Sequence, residues 1–511
     1  MLAFPKTAKY NIFLTSGHSS VVERLVANEK VEGSTPFARS KIMSKINQLN
    51  INKIFSLAVQ NQKKNNHKVA KDLYNQILKI NPNLAEAYNN LGFIFRSEGQ
   101  NEKAKECYEK ALKIKPHFTN ANQNLGLIYQ KLGNYEEAKN CYEKVIDVNP
   151  DLISVQYNLG LVFQKLGNYE EAKNCYEKVI DINPKIAEAH NNLGIVYASL
   201  GKINQAVNSY SLAIINNVKY KEAKRNLISS LTCFESDINN PIIKANNDLK
   251  NIFKNFTLKD FSQNENLSIF FKKSNEILNS IKEEIKDIEY IETQTYRRNS
   301  FDLNCKRHHK VFNQNQIIPK YCFSCFKIQI EPKNILELIK LFFIFDNFKF
   351  PNNNWRKCMI ELRPEVSGTY KGLIYCSSVD EANKILNDIN PTLNFFMINK
   401  VSIKRGCSEF YKPFPDFKQI NKKEPNFMNY KNEWLNIEKT EDAKETFNQK
   451  KFLETISGLS ISDFLIMNNW ANYAKLIGDL TYKDLHSDFI YSDYVIKKMS
   501  NQLEFRRNEL L

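Results

Sequence analysis

The sequence predicts a helical solenoid followed by an α+β domain with helical flanks. Three observations carry this. A motif recurs every 34 residues between about 70 and 220. Between 326 and 410 the pattern switches to short alternating strands separated by two helical segments. The chain is 42% hydrophobic over 511 residues, enough for real cores and too long for one ordinary domain. No stretch approaches the roughly 20 apolar residues that span a bilayer, so membrane insertion is not expected.

The net charge is +16, in a composition rich in Asn, Lys and Ile. Such enrichment follows from an AT-rich coding bias and raises the isoelectric point without a nucleic-acid partner, so none is expected. Ten cysteines without a secretory signal point to a reducing cytoplasm and to free or metal-bound thiols.

Residues 1–42 read as a non-native extension. Ser19-Ser20-Val21-Val22-Glu23-Arg24 and Gly33-Ser34-Thr35-Pro36 resemble the translated D-arm and T-arm of a bacterial tRNA gene, which implies a start at Met43. Glu23, Glu29 and Glu32 argue against a targeting peptide, since transit peptides are poor in acids.

The recurrence itself is Cys107-Tyr108-Glu109-Lys110, Cys141-Tyr142-Glu143-Lys144 and Cys175-Tyr176-Glu177-Lys178. Leu91-Gly92, Leu125-Gly126, Leu159-Gly160 and Leu193-Gly194 mark one helix of each unit. Ala104, Ala138, Ala172 and Ala206 open the next helix, where close approach admits only a small side chain, and Pro116, Pro150 and Pro184 end it. The pattern resembles the tetratricopeptide repeat (TPR), with five units over 51–84, 85–118, 119–152, 153–186 and 187–220; the first matches through Leu57, Ala70, Tyr74 and Pro82. Residues 221–235 read as a capping helix, closing a solenoid over 43–235. Cys107, Cys141 and Cys175 share a position with Leu73 and Ser209, which marks it as a packing site.

Asn90, Asn124, Asn158 and Asn192 precede the Leu-Gly pair in four consecutive units. They resemble the asparagine ladder of protein O-GlcNAc transferases, which implies a concave groove gripping an extended peptide backbone. A carboxamide is both donor and acceptor and so fits a peptide unit whatever its side chain. The bland alternative is that these asparagines bridge adjacent helices. Lys131 and Lys165 would add positive charge to the groove.

Residues 236–300 read as a helical connector, with helices at Ile242–Phe256 and Leu267–Ile291. In 301–411, strands are expected at 326–330, 355–363, 370–376 and 401–410, and helices at 334–345 and 379–389, the latter stopped by Pro391. This β-α-β-β-α-β order is the ferredoxin-like arrangement. Lys371-Gly372-Leu373-Ile374-Tyr375 partly resembles the third-strand signature of RNA-recognition motifs. Leu373 stands where an aromatic is expected, and Lys327 and Gln329 face outward in place of stacking rings. Ser367-Gly368-Thr369 lies between two strands and lacks the helix that a sulfotransferase phosphate loop requires. The tail, 412–511, is expected to be mostly helical, with one amphipathic helix at 459–477.

The densest chemical signal is Cys305-Lys-Arg-His308-His309 followed by Cys322-Phe-Ser-Cys325. Two such pairs suit one tetrahedral zinc ion, or an iron–sulfur cluster, held by Cys305, His308, Cys322 and Cys325. Alternatively the cysteines pack in the core and the histidines are surface residues. Arg297, Arg298, Lys306, Arg307, Lys310, Lys320 and Lys327 form a basic segment that would bind an anion or lower thiol pKa values. Cys407, after Gly406 at a strand end, is the better candidate for an exposed thiol. The functional expectation is an adaptor that binds a protein or peptide in the repeat groove. The alternative is a protein-modifying enzyme that recruits substrate through the repeats, with a metal or thiol centre at 305–325; a third reading is an RNA-associated protein.

Overall fold

A computed structural model describes residues 36–288, 290–363, 366–396, 400–444, 453–485, 496–497, 500 and 502–510, with the side chains of 36–48 left aside. Of the tRNA-like residues 16–40, 16–35 lie outside the described residues, and 36–40 with Met43 fall within the first helix, α1 (Pro36–Lys63). The chain divides into two compact units, Met1–Asn134 and Tyr135–Leu511.

The first unit is a series of helices, α1 followed by α2 (His67–Ile80), α3 (Ala85–Ser97), α4 (Asn101–Ile114) and α5 (Thr119–Leu132). The repeat pattern explains their packing. Ala70, Ala104, Tyr74 and Tyr108 are all fully buried. Gly92 of α3 lies beneath the Tyr108 ring, and a Cβ there would come within 2.6 Å of it. The Leu-Gly and Tyr signatures are therefore two halves of one interhelical contact. Leu57 is exposed whereas the adjacent Ala58 is buried, so Ala58, Ala70 and Tyr74 carry the packing of the first repeat.

The second unit opens with helices of the same kind: α6 (Tyr135–Ile146), α7 (Ile153–Leu166), α8 (Tyr169–Ile182), α9 (Ala187–Ser199), α10 (Ile203–Asn216) and α11 (Lys221–Ser230). Gly160 meets Tyr176 and Gly194 meets Tyr210 in the same way. The left-handed Gly167 (φ 78°) ends α7 and turns the chain into α8. In α11, Asn226-Leu227 continues the Asn-Leu register of the earlier helices, and Ala223, Leu227 and Ile228 are buried.

Beyond the repeats come α12 (Pro241–Lys254), α13 (Asn264–Ser280), β1 (Gln294–Arg297), α14 (Cys305–Asn315), β2 (Phe326–Glu331), α15 (Ile335–Asn347), β3 (Arg356–Ile360), β4 (Tyr370–Cys376), α16 (Val379–Phe396), β5 (Lys400–Arg405), α17 (Trp434–Lys444), α18 (Ile461–Ile477) and α19 (Leu503–Leu510). The five strands form one antiparallel sheet in the order β1-β3-β4-β2-β5. Side chains alternate across it. Phe326, Ile328, Ile330, Cys358, Ile360, Tyr370, Ile374 and Cys376 point into a core shared with α12, α13, α15, α16 and α18. Lys327, Gln329, Lys357, Lys371, Leu373 and Tyr375 point to the opposite face.

Several elements differ from expectation. The helix expected over Leu267–Ile291 ends at Ser280, and a single separate turn, Lys282–Ile285, follows it. Strand β1 is additional: it is only four residues long, too short to announce itself by alternation. Helix α16 runs through Pro391 instead of stopping there, because Ile385, Ile389 and Leu393 keep one buried face in register and outweigh the lost backbone bond. The last strand ends at Arg405, where Gly406 turns with φ 59°. Helix α18 is not amphipathic: Ile461 to Ala474 are all buried, including Asp463, Asn468, Asn469 and Asn472, because the helix runs through the core.

Buried charge ties these parts together. Arg297 of β1 binds Asp346 of α15 through Nε and chelates Asp463 of α18 at 3.2 Å through both terminal nitrogens. Asp463 in turn caps its own helix reciprocally with Ser460. Among the described residues no helix is long and apolar enough to cross a membrane.

Candidate functional site

In the first unit, Asn90 donates to the Tyr74 hydroxyl at 3.0 Å and Asn124 donates to Asn89 Oδ1 at 3.1 Å. In the second, Asn192 donates to the Tyr157 hydroxyl at 3.0 Å, and Asn226 repeats the pattern by donating to Asn191 at 2.9 Å. Asn158 sits half-buried at the same register of α7. Bridging between neighbouring helices is thus present at Asn90, Asn124 and Asn192. A carboxamide carries two N–H donors and two acceptor lone pairs, so one bridge leaves capacity for a ligand. Lys131 and Lys165 are exposed in the last turns of α5 and α7.

The Cys/His segment folds differently from two facing turns. Cys305 and His308 lie on the first turn of α14, and Cys322 lies within, and Cys325 caps, a 3₁₀ turn leading into β2. Among the described residues, the one group of three or more His, Cys, Asp or Glu whose donor atoms lie within 4.8 Å of each other is His309, Cys407 and Glu409; the quartet Cys305, His308, Cys322 and Cys325 is not gathered in that way. His308 is buried and stacks on Tyr321 with ring centroids 5.2 Å apart. Burial, then the neighbouring Arg307, pushes its imidazole down to about 4. Cys322 belongs to a small core with Val311, Phe312, Phe410, Phe417 and Trp434. Burial raises both thiols of the pair, Cys325 to about 12.

The basic segment also disperses. Arg297 lies on the helix-covered face of the sheet, and Arg307 is held by Glu438 at 2.7 Å and Asp442 at 2.8 Å of α17. Lys327, by contrast, reaches the open face and places Nζ 3.0 Å from the thiol of Cys407.

That open face is the floor of a cavity of about 400 Å³, walled by Cys305 and His309 of α14 and by the 406–409 turn. Gly406 makes the wall possible: a Cβ there would come within 2.5 Å of Phe417. The turn holds Cys407 beside Lys327 and in hydrogen-bond contact with His309, with Glu409 close by. Burial alone would raise the Cys407 thiol; the Lys327 ammonium and the His309 ring outweigh it and bring it down to about 7. The same contact, the largest influence on His309, pushes that imidazole up. Across the floor, Glu361 pairs with Lys371 at 3.0 Å and with Arg363 at 2.8 Å, and Arg363 reaches on to Glu409. Lys357 donates to Gln294 at 3.1 Å and is pushed down to about 8, by burial first and then by Lys327. The Tyr375 ring lies under the Lys327 ammonium at 5.0 Å.

Five cationic side chains (Lys327, Lys357, Arg363, Lys371, Lys404) face two carboxylates (Glu361, Glu409) in this cavity. His309, Cys407 and Glu409 have the donor types of a metal site, but an ammonium 3.0 Å from the sulfur repels a second cation there. The surroundings favour an anion. Of the site residues read from sequence, Cys407 was visible through its Gly-Cys turn and Lys327 through strand parity. The sequence does not separate His309 from His308, because helix phase decides which of two adjacent histidines faces the cavity.

The repeats are shown by comparison as well as by packing. Family models described as tetratricopeptide repeat match residues 85–118, 118–185 and 151–214, so this part of the chain consists of TPR units. Among solved structures, YrrB, a TPR protein with an unusual peptide-binding site, is 22% identical with a TM-score of 0.33, over 34% of this chain and 89% of that one. MamA is 25% identical with a TM-score of 0.31, over 32% of this chain and 95% of that one. MamA from Desulfovibrio magneticus RS-1 is 18% identical with a TM-score of 0.32, over 33% of this chain and 96% of that one. No curated protein matches the sequence.

Proposed function

We propose that this chain is a protein-interaction adaptor whose TPR helices bind a peptide segment of a partner protein. The observation that carries it is the recurrence of one asparagine register, Asn90, Asn124, Asn158 and Asn192, on the first helices of successive units. Asn90, Asn124 and Asn192 are held by a bridge to a neighbouring helix, which fixes the carboxamide and lowers the entropy lost when a peptide backbone adds its own bonds. The C-terminal sheet is read as ferredoxin-like: β5-β2-β4-β3 is the spatial order of that arrangement, α15 and α16 cover one face, and β1 is an added edge strand. The alternative, an enzyme that recruits its protein substrate through the repeats, draws its support from the Cys407 cavity.

A random peptide library selected on the full-length protein tests the adaptor role. Peptides should be enriched, and the double substitution Asn124→Ala with Asn158→Ala should weaken the best of them. Two lost hydrogen bonds at about 0.5–1.5 kcal/mol each predict a loss of roughly 5- to 150-fold, with helicity retained. Enriched peptides that bind the double variant equally well would place recognition away from the asparagines.

A further inference from the structure

We infer that Cys407 is a catalytic nucleophile, set in the wall of an anion-selecting cavity and acting on acyl compounds that carry a carboxylate or phosphate group. The inference is independent of what the TPR helices bind.

Four features of the cavity support it. The sulfur has a charged partner, Lys327 Nζ at 3.0 Å, on a side chain 91% buried and rooted in the central strand β2. It has a proton acceptor, His309, in hydrogen-bond contact, and Glu409 lies within 4.8 Å of both. The thiol is half-buried and faces a cavity of about 400 Å³, room for a small metabolite or the end of a side chain. Finally, the cavity holds more positive charge than its carboxylates neutralise. Arg363 and Lys371 are taken up by Glu361, but among the described residues Lys357 and Lys404 have no carboxylate within salt-bridge distance. An anionic group bound beside Lys357 and Lys404 would relieve that excess while the reacting carbon rests over Cys407.

The buried thiols offer a contrast. Cys322 is walled into apolar packing, Cys325 is buried, and Cys358 and Cys376 face the helix-covered side of the sheet. Cys305 lines the same cavity but, among the described residues, has no ammonium hydrogen-bonded to its sulfur.

The chemistry is acyl transfer. Cys407 Sγ attacks the carbonyl carbon, forming an S–C bond, and the thiol proton passes to the His309 ring. The adduct collapses, the bond from carbon to the leaving group breaks, and the leaving group takes that proton from His309. Water then attacks the thioester, gives its proton to His309, and the S–C bond breaks. The released thiolate recovers the proton, and the acid departs. No oxidant or reductant enters the cycle.

The test uses the full-length protein and two activated esters, mono(4-nitrophenyl) succinate and 4-nitrophenyl acetate. Intact and peptide mass spectrometry should find a single hydroxylamine-labile acyl group on Cys407. The succinate ester should react at least about tenfold faster than the acetate ester, the scale on which a charged cleft speeds capture of an opposite charge. Lys404→Gln, a substitution at a half-buried position on the edge strand, should lower the ratio of the succinate rate to the acetate rate. His309→Gln should slow both esters. Acylation spread over lysines, a Cys407 left unmodified, or equal rates for the two esters in the unsubstituted protein would overturn the inference. Because the last comparison needs no variant, it stands even if a substitution impairs folding. Stoichiometric zinc bound at Cys407, with loss of ester reactivity in its presence and no reactivity after its removal, would also overturn it in favour of a metal centre.

Discussion

Single residues set the chemistry of this protein through their neighbours. Two cysteines one strand apart behave oppositely: Cys325 is driven up to about 12 by burial, whereas Cys407 falls to about 7 beside Lys327 and His309. The alkylation rate of Cys407 by iodoacetamide should therefore level off above about pH 7, where an ordinary thiol is still gaining reactivity. Lys327→Met should move the plateau upward by a unit or more, as followed by peptide mass spectrometry across pH. His308 makes a second case. Its folded value of about 4 lies below the ordinary 6.5, so the neutral ring is the form that folding favours. Its contribution is complete above pH 6.5 and is lost as the pH falls toward 4, by roughly 1–3 kcal/mol. Urea midpoints should show this slope in the native chain and a flatter one in His308→Phe, which keeps the stack on Tyr321. Equal slopes would mean that other groups govern acid stability. A third residue-level test is Gly160→Ala. The new methyl carbon would lie 2.9 Å from a Tyr176 ring that is fully buried and anchored to Gln164 at 2.7 Å. Overpacking of this kind costs about 1–3 kcal/mol, readable as a lowered melting temperature.

Among the elements, α15, α18 and β1 meet at Arg297, and the consequence of cutting that connection is large. Arg297→Met would leave Asp346 and Asp463 buried without their counter-ion. Removing one partner of a buried ionic cluster typically costs about 3–5 kcal/mol, so the denaturation midpoint of the full chain should drop markedly. A negligible change would show that the two aspartates protonate or gain water at little cost. Elements also show what the sequence makes legible. The β-α-β-β-α-β succession from 326 onward is visible because each strand alternates and each helix has an apolar face. Strand β1 is not visible, since four residues carry too little pattern. Helix α18 reads as amphipathic from its polar residues, yet those residues are buried: Asn469 donates to the carbonyls of Tyr290 and Glu292, each at 2.9 Å. Periodicity cannot distinguish a polar side chain facing water from one satisfied by backbone inside a core.

For the molecule as a whole, the TPR units are plain in the sequence because Gly92, Gly160 and Gly194 repeat the same packing solution, a glycine under a tyrosine. The Cys407 site is far less legible. Lys327, Cys407 and His309 come from β2, the turn after β5 and α14, and only strand pairing brings them together. Spacing pointed to Cys305, His308, Cys322 and Cys325 because they are close in sequence, and local spacing cannot reveal partners that a sheet assembles. The central position of α18 bears on how the protein is made. Ile461 at its start donates its backbone N–H to Asn246 of α12, and Trp470 in its middle donates to the carbonyl of Thr293, at separations of 215 and 177 residues. On the ribosome, α12, α13 and the whole sheet leave the exit tunnel before the helix that fills their core exists. A nascent chain stalled before Ser460 would therefore hold an open apolar cleft while its TPR units are already able to close on themselves. Until α18 emerges, that cleft is a natural binding site for a chaperone.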